Sequence, residues 1–88
     1  MSGATWDRSQ KWQTYLRGPL VVVEVAVWRV LLPSASYFWA ADSYARASGN
    51  GMRETTGHAA SLTEAKRKAL QAASELMTHG ETALGGGL

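Results

Sequence analysis

The chain has no cysteine among its 88 residues, only two prolines and one phenylalanine. Without cysteine there is no disulfide framework and no thiolate metal site. Stability has to come from packing or from a partner chain. Charge of either sign is sparse: nine lysines and arginines against seven aspartates and glutamates leave a net charge of +2. That balance permits nucleic-acid binding without requiring it. Long hydrophobic runs are missing too. The longest, Leu20 to Leu32, is broken by Glu24 and Arg29 and is too short to span a bilayer. The N-terminus is polar and has no apolar core of a secretory signal. These features predict a cytoplasmic protein with no membrane partner.

What is present is one small domain's worth of chain. A domain of this size buries only about 60–65% of its unfolded surface, so its core is thin. Four tryptophans are many for this length, and large aromatics fill a small core efficiently.

The pattern along the chain predicts an α+β fold in the order α-β-β-β-α. Thr5 to Arg17 reads as a short helix with Thr5 as N-cap, Asp7 in the first turn and Gly18-Pro19 as a stop. Trp12, Tyr15 and Leu16 would share its apolar side. Leu20 to Leu32 contains six valines and reads as a strand. Val21, Val23, Val25 and Val27 fall on one face, and Val22, Glu24, Ala26, Trp28 and Val30 on the other. Two largely apolar faces imply that both are covered, or that one binds something.

Pro33 to Ser36 reads as a turn and Tyr37 to Ala45 as a second strand, with Tyr37, Trp39 and Ala41 opposite Phe38, Ala40 and Tyr44. Ser48-Gly49-Asn50-Gly51 is the hairpin signal, because Asn-Gly accepts the positive φ of a tight turn. Met52 to Ala60 becomes a polar edge strand, suited by Arg53 and Glu54. Ser61 and Glu64 form a capping box. The helix it starts presents Leu62, Ala65, Ala69, Ala72, Ala73 and Leu76 at three- and four-residue spacing, ending near His79-Gly80. The expected result is a three-stranded antiparallel sheet with the C-terminal helix on one face. The domain would run over residues 1–80, and 81–88 would be a flexible glycine-rich tail.

Ser61, Ala65, Lys66, Ala69 and Ala73, at these intervals and after this element order, resemble the closing helix of the double-stranded-RNA-binding domain. The resemblance covers about 20 residues and implies that fold. It also implies phosphate contacts from lysines at the helix start. Leu62 and Thr63 stand where the family carries its first two lysines, and only Lys66 remains. The stretch from Gly57 through Ser61-Leu62-Thr63-Glu64-Ala65 is also similar to HicB-type antitoxins and related small phage proteins. That resemblance implies a non-enzymatic accessory protein that grips a protein partner.

No chemistry-bearing motif competes with a binding role. His58 and His79 have no ligand-spaced companions. Asp7, Glu24, Asp42, Glu54 and Glu64 form no recognisable carboxylate pair in sequence, and there is no phosphate loop, dinucleotide fingerprint or nucleophile elbow. The expectation is therefore no catalysis, no cofactor and no metal. Glu24 stands alone among valines, and a pair with Arg29 is one reading of it.

Two functions follow as expectations. The first is a protein-interaction module, an inhibitor or anti-defence accessory protein of a phage or mobile element. Its interface would comprise Val22, Glu24, Trp28, Val30 and Trp39, facing a protein partner or a second copy in a homodimer. The alternative is a nucleic-acid-binding protein using Lys66, Arg67 and Lys68, assisted by Arg29 and Arg46.

Overall fold

The computed structural model describes residues 11–30 and 36–85. Their order is β1 (Lys11–Arg17), β2 (Val21–Val30), β3 (Ser36–Ala45), β4 (Gly51–Ala59) and α1 (Leu62–Leu84). The four strands form one antiparallel sheet in sequential order, with β1 and β4 at its edges. The α+β class and the helix on one face follow the sequence reading. The strand count and the N-terminal element do not.

Residues 11–17, expected at the end of a helix, form β1 and pair in register with β2 from Lys11↔Trp28 to Arg17↔Val22. The remainder of the expected helix lies outside the described residues. The segment KWQTYLR satisfies two periods at once. Trp12 and Leu16 are four apart, a separation shared by one helix face and one strand face. Pairing resolves the ambiguity, because a helix as short as residues 5–17 is marginal in isolation while β2 offers a full ladder of backbone partners. Trp12, Thr14 and Leu16 then lie beside Val27, Val25 and Val23 on the helix side of the sheet.

The core lies between that side and α1. Val21, Val23, Val25 and Val27 are fully buried, and Ala65, Ala69, Ala73 and Leu76 meet them with Ala41 and Trp39. Each valine so buried contributes about 1.5–3 kcal/mol. Alanine on the facing helix leaves room for the valine branches. Leu62, expected in this stripe, is 36% exposed because it sits in the first turn, before the helix reaches the sheet.

Two boundaries are corrected. The hairpin expected at Ser48–Gly51 is a loop at residues 46–50, in which Gly49 takes positive φ, at 76°. Its N–H donates to the Ala45 carbonyl at 2.7 Å, and Ala45 donates to the Asn50 carbonyl at 2.8 Å. A register shift follows between Ser43 and Tyr44, with the Ser43 hydroxyl bonded to the Arg53 backbone.

The helix also continues past His79-Gly80, so Glu81 to Leu84, expected in the tail, form its last turn. Gly80 is buried against β2: a Cβ there would come within 2.8 Å of a Val21 methyl. The glycine serves close approach, not termination. The Ser61 cap is present, its hydroxyl accepting from Glu64 N–H at 3.2 Å.

The extended helix delivers Glu81 to the β1–β2 turn. One carboxylate oxygen accepts from Leu20 N–H at 2.9 Å and from Val21 N–H at 2.8 Å. This ties the end of α1 to the start of β2 across about sixty residues of sequence. Glu81→Ala is expected to lower stability by about 1–2 kcal/mol, read as a reduced urea midpoint at unchanged slope. The exposed neighbour Thr82→Ala serves as the control and should move it by less than about 0.5 kcal/mol.

Candidate functional site

The helix covers only one side of the sheet. On the other, no described element packs, and strand register sets the side chains in four rows. The first is Trp28, Phe38 and His58; the second is Gln13, Ala26, Ala40 and Thr56. The third is Tyr15, Glu24, Asp42 and Glu54, and the fourth begins with Arg17, Val22 and Tyr44. Val30 and Ser36 pair beyond the first row.

The first row is an aromatic ladder. Trp28 and Phe38 meet edge to face with centroids 4.6 Å apart, and Phe38 meets His58 in the same way at 5.0 Å. Such pairs contribute about 0.5–1.5 kcal/mol beyond their burial. The second row is low. Ala40, though on the uncovered face, is only 8% exposed, because longer side chains in the flanking rows shade it. The face thus has a trough between an aromatic rim and a carboxylate rim.

In that second rim the three carboxylates are consecutive cross-strand neighbours, Glu24↔Asp42 and Asp42↔Glu54. Like charges directly opposite one another destabilise a sheet. Glu24 is fixed: one oxygen accepts from Tyr44 O–H at 2.8 Å and the other from Gln13 Nε2 at 2.6 Å. The hydrogen bond to Glu24 pushes the Tyr44 hydroxyl up to about 12, reinforced by burial and the nearby negative charges. Burial, then repulsion by Glu54 and a hydrogen bond that the protonated Asp42 donates to Glu54, then repulsion by Glu24, raise the Asp42 carboxyl above its ordinary value of 3.8. Arg17, on this face, lies over the Tyr15 ring at 5.2 Å.

Four of the five residues expected at an interface, Val22, Glu24, Trp28 and Val30, share this face. Trp39 does not. It is 8% exposed on the helix side, with its indole over Gly57, and belongs to the core. Register pairs Trp39 with Val27 and Trp28 with Phe38, which sets the two tryptophans on opposite faces, and the covering helix decides which is buried. Glu24 and Arg29 differ by an odd number of strand positions and so lie on opposite faces, which removes the pair considered for them.

The residues of the nucleic-acid alternative are dispersed. Lys66, Arg67 and Lys68 are consecutive on α1 and fan over about 200° of its circumference. The Lys66 ammonium lies over the Trp12 ring at 4.9 Å, while Arg67 and Lys68 each reach Glu64 at 3.6 Å. Arg29 is exposed at the end of the sheet where the helix begins. Arg46 is at the other end, donating to the Gly18 carbonyl at 3.0 Å, roughly 30 Å away along the strands. His58 belongs to the aromatic ladder. His79 lines a shallow groove between α1 and β4 with Arg53, Thr55 and Glu75.

Sequence reading did not assign Phe38, Asp42, Tyr44 or Glu54 to the interface. The three carboxylates appear unrelated in sequence and become a row only through register. No group of three or more histidine, cysteine, aspartate or glutamate side chains among the described residues could hold a metal ion. No helix among them is long and apolar enough to cross a membrane. Comparison with protein-family models, curated proteins and solved structures returns no match.

A raised carboxyl has a defined consequence for stability. The folded chain holds the Asp42 proton more tightly than the unfolded chain does. Stability from this group is therefore fully present below pH 3.8 and is lost as pH rises through the raised value. Asp42→Asn is expected to increase stability at pH 7 by about half a kcal/mol and to remove that part of the pH dependence. Urea denaturation at several pH values between 3 and 7 measures both effects.

Proposed function

We propose that the chain is a non-enzymatic protein-interaction module that binds through the uncovered face of its sheet. The observation that carries this reading is the one-sided coverage of the sheet. Val22, Ala26, Trp28, Val30, Phe38, Ala40 and Tyr44 lie on a face against which no described element packs. A contiguous, partly apolar face on a small domain marks association. Four strands about 4.8 Å apart and about nine residues long give a platform of roughly 15 by 30 Å. That is wide enough for one partner helix, about 10 Å across. Trp28 and Phe38 are the anchors by residue type and position, since rigid aromatics carry a large share of interface energy.

The same face argues against nucleic acid there. Aromatic rings on an open sheet can stack bases, but phosphates beside Glu24, Asp42 and Glu54 would be repelled. Lys66, Arg67 and Lys68 lie on α1, on the other side of the sheet, and leave Arg17 beside three carboxylates.

The test uses the tagged full chain in the cells it comes from. A Trp28→Ala/Phe38→Ala variant is expected to reduce partner capture at least tenfold, while Lys66→Ala/Arg67→Ala/Lys68→Ala leaves it within about twofold. Circular dichroism confirms that both variants fold. Capture unaffected by the first variant would overturn the reading. So would loss with the second variant, accompanied by salt-sensitive binding of duplex or single-stranded RNA to the wild type.

A further inference from the structure

The uncovered face carries an aromatic row and an acidic row on either side of a trough, which restricts what can occupy it. We propose that it docks a basic amphipathic protein segment, with a lysine or arginine on the Glu24–Asp42–Glu54 row and apolar side chains against Trp28 and Phe38. This inference rests on reading the face as a protein interface and adds the chemistry of the partner.

The argument is charge complementarity. The chain carries a net positive charge, yet this row presents three carboxylates side by side, with Arg17 in the next row. Glu24 is held by Tyr44 and Gln13, so one end of the row is rigid before anything binds. A cation seated over Asp42 and Glu54 relieves their mutual repulsion, and an uncharged partner leaves it in place. Four residues separate the aromatic and acidic rows along each strand, about 13 Å. An extended segment spans that distance between residues i and i+4, both on the same side.

Other occupants fit less well. A second copy stacked face to face brings the same three carboxylates. A second copy offering Lys66 to Lys68 uses the opposite side of the molecule, giving a head-to-tail contact that does not close.

The experiment selects displayed random twelve-residue peptides on the immobilised full chain, then measures the best binder against the wild type and two variants. Peptides are expected to combine at least one lysine or arginine with aliphatic or aromatic residues. Asp42→Asn/Glu54→Gln should weaken the best of them roughly tenfold. Glu24 is left intact because it positions its neighbours. Affinity for the wild type should rise with pH above 3.8 as Asp42 loses its proton, and the variant should show a flatter profile. The groups facing Asp42 are Tyr15 and Arg17 from β1, Glu24 from β2, Tyr44 from β3 and Glu54 from β4.

Peptides without basic enrichment that still depend on Trp28 and Phe38 would overturn the cationic partner and leave the interface reading standing. No enriched peptide, or peptides that bind Trp28→Ala/Phe38→Ala as well as wild type, would overturn both.

Discussion

The contact between the valine ridge of β2 and the alanine stripe of α1 is the constraint on which the rest of the molecule depends. Four fully buried valines alternate along one strand, and the helix meets them with small side chains at three- and four-residue spacing. Branched residues stand stiffly on a sheet, and alanines allow the helix close to them. Once that contact forms, every other strand has an inside and an outside, because side chains alternate strictly from one face to the other. Trp12 and Leu16 are drawn to the inside on β1, and Trp39 and Ala41 on β3.

A domain with one covering helix has little means of protecting the other side of its sheet. A four-stranded sheet needs only one buried face for stability. The uncovered face is therefore free to carry residues that packing alone would not choose. It carries an aromatic ladder, a trough of small residues and a row of like charges, where an inert wet face would alternate polar side chains of both signs. The tie from Glu81 to Leu20 and Val21 holds the far end of the helix without drawing on this face, so the scaffold and the candidate site use separate sets of side chains.

Much of the scaffold is legible in the sequence because it rests on periodicity. The faces of β2 and β3, the Ser61–Glu64 cap and the alanine stripe follow from spacings of two and of three to four. Register does not follow from spacing. The pairs of β3 and β4 are centred on Ser48, whereas an Asn50-Gly51 turn would centre them between those two residues. That turn sets Asp42 opposite Ala59 instead of Glu54, so misplacing it is enough to hide the carboxylate row. β1 was obscured by a different ambiguity. Its two best apolar residues are separated by four, a spacing that helix and strand share, and only the partner strand distinguishes them.

The carboxylate row is where local rules and the fold disagree. Asp42 and Glu54 face each other across β3 and β4, next to Glu24, and each pairing costs stability that an asparagine or threonine would recover. A small domain with a thin core has little stability to spare. Locally unfavourable choices in an otherwise consistent sequence concentrate at functional sites. Here the unfavourable choice falls on the uncovered face, in register with its neighbours, at one end of a trough whose other end is aromatic. The partner of this face is accordingly expected to bring positive charge to the carboxylate row.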